Sequence, residues 1–245
     1  MRARPIARSA LLLLSLLPGL SGRTRAAQAP PDSGVYHVDP SSRLVVKTGK
    51  SGLFSFAGHT HVIRALGVVG DLVFYPGRPT SSLRLKVPTA KLQVLTPPDT
   101  AEIRKVTDAM RTEVLHVDKY PEMTFAADSL NARSGKMEMQ LVVTMVGVTR
   151  KMPVTADVTI GSDTIRASGT FVAKQTEFGI KPFSGGPGGT VKVADRVTFC
   201  FDLVAIRGRA EIPEMVAQSR DSLAIAVPGC VDRPTLRPDS LIEAQ

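Results

Sequence analysis

Aromatic residues are scarce in this chain, 5% of its 245 residues, and no dense cluster of lysine and arginine makes up for them. A nucleic-acid surface needs both a basic stripe and stacking rings, so nucleic acid is excluded as a partner. The formal net charge of +9 does not argue otherwise. Residues 1–29 hold five arginines and no acids, and without them the balance is +4, 26 Lys and Arg against 22 Asp and Glu. Cysteine is rarer still. Only Cys200 and Cys230 occur, so a lipid-modified cysteine at a processed N-terminus is excluded. No apolar run approaches the ~20 residues of a membrane-spanning helix. The nucleophile elbow G-x-S-x-G and the phosphate loop G-x-x-x-x-G-K-[ST] are both absent, which removes the usual signatures of hydrolase and nucleotide chemistry. "GGPGG" (185–189) follows no strand-to-helix unit and reads as a hairpin loop.

What is present begins with an export signal. Arg2, Arg4 and Arg8 precede the short apolar run "SALLLLSLL", Pro18 and Gly19 break it, and small residues follow in "TRAAQA". That layout predicts cleavage after Ala26 or Ala29 and a periplasmic or secreted product. About 216 residues then remain, enough for one large domain with a good core. They divide into a domain over 30–206 and a tail over 207–245, in which scattered prolines and mixed charge leave no sustained period. Export permits a Cys200–Cys230 disulfide, but sequence gives no distance between the two thiols. They either bridge the tail to the final strand or stay apart, and the second reading is preferred here.

Period-two alternation dominates the rest. "KMEMQLVVTMVG" puts Met137, Met139, Leu141, Val143 and Met145 on one side of a strand. "VTADVTI" does so with Val154, Ala156, Val158 and Ile160, and "TIRASGTFVA" with Ile165, Ala167, Gly169, Phe171 and Ala173. "VTFCFDLVA" sets Val197, Phe199, Phe201, Leu203 and Ala205 against Thr198, Cys200 and Asp202, which should face outward. Turn residues separate the segments, at Gly147, "GSD" (161–163) and "ADR" (194–196). This is an antiparallel sheet with one apolar face. "VYHVD", "RLVVKT", "LGVVGDLVFY" and "SSLRLKVPT" repeat the pattern less cleanly, for about eight strands in all. That number can close into a barrel and remove its edges.

One segment departs from the pattern. In "TAEIRKVTDAMRTEVLH", Ile103, Val106, Met110 and Val114 recur every three to four residues, as on one face of an amphipathic helix. Pro97 and Pro98 stop the strand before it, Asp99 or Thr100 can cap it, and Pro121 returns the chain to a strand.

Two sites compete for function. His59 and His61 stand two apart, so on a strand they share a face. They could be half of a metal site that His37 or His116 completes, although zinc needs three or four ligands. They could equally be polar groups at a pocket mouth, or hydrogen-bond backbone at a bend. The apolar strand faces are the other candidate. They can fill a core, or enclose one small ligand in a barrel of about eight strands, and Met137, Met139 and Met145 suit an irregular apolar space. Cys200, mid-strand with no histidine nearby in sequence, is not read as a nucleophile.

Several segments in order resemble the YceI family of exported, lipocalin-like proteins. They are "VYHVDPSSRLVV", "VVGDLVF", "MRTEVLHVDKYPEMTFAADSL", "LVVTMVGVTRKMPVTADV", "KQTEFGI" and "VADRVTFCFDLVA", running from about Val35 to Ala205. The resemblance implies a mainly β fold, an antiparallel lipocalin-like barrel with one helix closing part of it. It also implies an interior that binds a polyisoprenoid or similar amphiphile, a quinone among them, with transient membrane contact. On that reading the protein is a carrier without cofactor or resident metal, and not an enzyme. Its ligand-binding residues would be Phe56, His59, His61, Met139, Leu141, Val143, Val158, Phe171, Phe199 and Phe201, with the histidines reading a head group. The alternative is a small metal-dependent enzyme using His59 and His61. The sequence departs from the family pattern at "AGHTH", at Lys174 and Gln175, and in the tail.

Overall fold

The computed structural model describes residues 34–51, 60–78, 80–95, 100–185 and 191–208. Their strands are β1 (Gly34–Val38), β2 (Arg43–Ser51), β3 (Val62–Ala65), β4 (Val69–Phe74), β5 (Ser82–Pro88), β6 (Leu92–Val94), β7 (Glu122–Ala127), β8 (Leu130–Arg133), β9 (Lys136–Met145), β10 (Val148–Ile160), β11 (Thr164–Lys174), β12 (Ser184–Gly185) and β13 (Val191–Arg207). Helix α1 (Thr100–Ala109) lies between β6 and β7 and runs on into a π turn over Met110–Val114. Eight strands form a closed antiparallel ring in the order β1-β4-β5-β7-β9-β10-β11-β13, with β13 pairing back onto β1. The expected β-barrel with one helix is therefore the fold.

The ring closes at a fork. β13 is seventeen residues long, and one of its edges pairs with β11 from Lys174↔Arg196 to Thr164↔Ile206. Its other edge serves two partners, β2 as far as Asp202↔Arg43 and β1 from Val38↔Ala205 onward. Between them, the Val204 carbonyl accepts the Asp39 N–H at 2.8 Å and the Ser42 hydroxyl at 3.0 Å. β2 then carries β3 and β6 outward as a flap.

Two hairpins use paired left-handed residues. Ser134-Gly135 and Val146-Gly147 have φ of 49° and 74° in each case, the type I′ geometry whose twist matches the flanking strands. For a β-branched residue such as Val146 that backbone is costly, and its side chain compensates by packing on the interior. At Gly147 a Cβ would lie 2.8 Å from the Tyr120 ring, so "TMVGV" and "DKYP" are in direct contact. "QTEF" and "VADRV" meet likewise. Asp195 accepts the Thr176 N–H at 2.9 Å and its hydroxyl at 2.8 Å, and Gln175 donates to the Ala194 carbonyl at 2.8 Å. This contact sits where β13 shifts register between Val193 and Val197.

The outer face of β13 differs from expectation. Thr198 is half-buried, but Cys200 and Asp202 are buried rather than exposed. Asp202 is reached by the Arg166 guanidinium, Nε to Oδ1 at 2.8 Å with Nη2 on Oδ2. That paired fork is how a carboxylate tolerates burial, and the carboxylate in turn raises the guanidinium's proton affinity. Cys200 packs with Val45 and Val62 in a cluster separate from the interior. It is disulfide-bonded, which corrects the reading of two separate thiols. Cys230, the only other cysteine in the sequence, lies outside the described residues.

Candidate functional site

The interior is built in layers, and the cross-strand register of β11 and β13 names them. From one end to the other they pair Ile165 with Ala205, Ala167 with Leu203, Gly169 with Phe201, Phe171 with Phe199, and Ala173 with Val197. The outer layers are packed. At the helix end, Val87, Met110, Leu115, Val143, Phe178 and Phe199 are all under a tenth exposed, and Ile103, Val106 and Val114 of the helical segment lean onto them. At the other end Tyr36, Phe74, Leu130, Met137 and Ile165 form a second buried cluster. Arg207 seals its edge, donating to the Tyr36 hydroxyl at 2.5 Å and lying 5.0 Å from the ring centre.

Between the two clusters the packing stops. Leu83, Met139 and Ala167 touch both clusters and are only partly buried. They border a cavity of about 70 Å³ in which every described lining side chain is apolar. The cause lies in "IRASGTF". β11 presents two small residues in succession to the interior, Ala167 and Gly169, where its neighbours present Leu, Met and Phe. Gly169 cannot be enlarged without displacement, because a Cβ there would lie 2.9 Å from Cζ of Phe201. Toward the helix the gap ends on aromatic rings. Phe171 and Phe199 stack with centroids 4.7 Å apart and planes 2° from parallel, and Phe125 meets Phe199 edge-on at 6.1 Å. Such contacts hold rings in fixed positions. Toward the fork, Val38, Leu44 and Leu203 complete the lining.

The residues singled out from sequence fall into three groups. Met139, Leu141, Phe171 and Phe201 line the cavity. Val143, Val158 and Phe199 point inward but are packed into the clusters on either side of it. His61 is partly buried before β3, where its N–H donates to the Thr48 hydroxyl at 3.1 Å and its carbonyl accepts the Thr48 N–H at 2.9 Å. It does not line the cavity. Phe56 and His59 lie outside the described residues. Of the other histidines, His37 bonds Asp71 through Nδ1 at 2.6 Å, and His116 is exposed at a left-handed turn. Among the described residues no three His, Cys, Asp or Glu side chains gather where they could hold a metal.

Sequence reasoning did not assign Leu83, Leu85 and Phe125 to the site, although "SSLRLKVPT" and "EMTF" carry the alternation that places them inside. Met137, inward by the same alternation, lines the cavity too.

The fold and cavity define a class: a small closed antiparallel barrel whose cavity is lined, among the described residues, by apolar side chains alone. The chain belongs to the YceI-like domain family, whose model matches residues 36–205. Among solved structures it is similar to BcnA of Burkholderia cenocepacia, at 18% identity and a TM-score of 0.54, over 68% of this chain and 98% of that one. It is also similar to a polyisoprenoid binding domain from Saccharophagus degradans implicated in plant cell wall breakdown. That match has 11% identity and a TM-score of 0.53, over 71% of this chain and 98% of that one. At these identities the likeness is one of fold. The sequence matches none of the curated proteins searched.

Proposed function

We propose that the protein is an exported binding or carrier protein that holds the apolar chain of a polyisoprenoid or similar amphiphile, such as a quinone, inside its barrel, and that it performs no chemistry on it. One observation carries this reading: a closed barrel has left its middle layer unfilled, and every described side chain around the gap is apolar. Folding ordinarily fills such space, since interiors pack as densely as organic crystals. An apolar gap stays dry and attracts apolar guests rather than water. Each methylene transferred into it contributes about 0.8 kcal/mol, and the ordering of ligand and side chains offsets part of that gain. A polar head has no partner among the described lining residues, so it stays outside the cavity. The polyisoprenoid-binding relative of the same fold supports the ligand class, and the export signal over residues 1–29 supports a periplasmic or secreted location.

The test is extraction. Protein purified from the compartment to which it is exported, treated with organic solvent and analysed by mass spectrometry, should release a prenyl or other long-chain lipid in near-stoichiometric amount. Failure to release or take up any apolar molecule would remove the carrier reading. N-terminal sequencing of the same material should begin between Ala27 and Asp32.

A further inference from the structure

We propose that residues 223–231 of the tail dock as a strap on the outside of the barrel, across β13, β2 and β3, and that a Cys200–Cys230 disulfide fastens them there. The strap stands or falls independently of any lipid in the interior.

Outward side chains of this barrel are ordinarily exposed. Thr155, Asp157 and Thr159 of β10 are, and the outward valines Val35 and Val172 stand 48% and 47% exposed. Val45 and Cys200, paired across β2 and β13, also face outward, yet both are 0% exposed. Among the described residues their one apolar partner is Val62, itself only partly buried. The cover is one-sided. Thr170, opposite Cys200 on β11, is exposed, whereas Nε of Arg64, opposite Val45 on β3, is shut off from solvent. A segment outside the described residues therefore lies over β13, β2 and β3. The disulfide at Cys200 identifies it, because Cys230 is the only other cysteine in the sequence. Reach is no obstacle. Cys200 lies about 26 Å back along β13 from Gly208, at ~3.3 Å per residue, and the chain from Gly208 to Cys230 can extend to roughly 70 Å. The sequence suits the surface as well: "LAIAVPGCV" (223–231) is an uncharged apolar run between Arg220-Asp221 and Asp232-Arg233. On the inner side of the same strands Leu44 and Phe201, a cross-strand pair, line the cavity. The strap thus backs that wall from outside and ties the flap to the ring.

Hydrogen exchange of the full-length, unreduced protein, read by mass spectrometry, separates docking from mere tethering. Docked residues 223–231 should exchange at least about tenfold more slowly than residues 234–245 of the same tail, whereas a loose tether would exchange as fast as they do. Ile225→Asp lies in the tail, where it cannot disturb the barrel, and should abolish the protection, since a charge laid on an apolar surface loses its solvation. Val62→Asp on the receiving face should do the same. Cys230→Ser should lower the thermal midpoint by about 5 °C or more. A bond that fastens a docked strap restricts chiefly the unfolded chain, while a bond to a loose tail restricts both states alike and leaves the midpoint unmoved. Peptide mapping without reductant should find the Cys200 and Cys230 peptides joined. Free thiols at both positions, an unprotected 223–231, protection that survives both aspartate variants, or an unmoved midpoint would each overturn the strap.

Discussion

Val143 and Ala167 both point into the same barrel, yet they occupy opposite kinds of interior. Val143 is fully buried against the helix-end cluster, opposite Phe125 on β7. Ala167 faces Leu203 across β11 and β13 and borders the cavity. Alternation alone cannot separate them, because period two records which face a side chain takes and not how much space remains there. The difference shows that a packed core and an open cavity can share one hydrophobic pattern and diverge only in the volumes placed on it. A succession of small residues opposite large ones marks the site.

Mutations can break that comparison or sharpen it. The largest effect is expected at Phe199→Ala. It removes a ring packed on both Phe171 and Phe125 and should cost about 3–5 kcal/mol in chemical denaturation. Val143→Phe comes next. It adds a ring where no space exists, and overpacking should lower stability by roughly 1–3 kcal/mol, whatever its effect on ligand. Gly169→Ala tests the border between the regions. Its methyl must push Phe201, a lining ring, toward the gap, so stability should fall by about 1–2 kcal/mol and lipid binding should weaken as well. Ala167→Leu should change apo stability less than these three, by less than about 1 kcal/mol, since the added atoms enter free space.

Asp195 offers a control outside the interior. Hydrogen bonds from Thr176, the backbone N–H first, hold its carboxyl below the usual carboxylate range. A carboxylate depressed in the folded state stabilises above its unfolded pKa, near 3.9, and that contribution is lost as pH falls through the folded value. Asp195→Asn should therefore be slightly less stable than the parent at neutral pH, and the two should converge in acid, as paired thermal melts across pH would show. The group is solvent-exposed, so the effect is the smallest of the set.

Much of the barrel was legible in the sequence because antiparallel strands with one buried face repeat every second residue. The long strands β9, β10, β11 and β13 gave that signal over ten residues or more. The helix was legible by its change of period. β2 was legible in "RLVVKT", but β3 and β6 were not, since strands of three or four residues carry too few alternations to show a face. Cys200 and Asp202 misled for a different reason. They occupy the outward positions that alternation assigns, but the Arg166 fork buries one and the Val45 cluster covers the other, and both are tertiary effects. Of the site, the inward faces of Met139, Leu141, Phe171 and Phe201 were readable. The gap itself was written in Ala167 and Gly169, which alternation counts only as two more inward residues.

The central claim is that the middle layer is a binding compartment and not part of the core, and Ala167→Leu tests it most directly. Its thermal midpoint without ligand and its affinity for a two-isoprene benzoquinone should be measured beside those of the parent protein. The account predicts a midpoint within a few degrees of the parent, as a change below about 1 kcal/mol implies, with affinity reduced by about tenfold or more, equivalent to at least ~1.4 kcal/mol of lost binding. A variant that melts much earlier than the parent, from a parent that binds no such ligand, would contradict it.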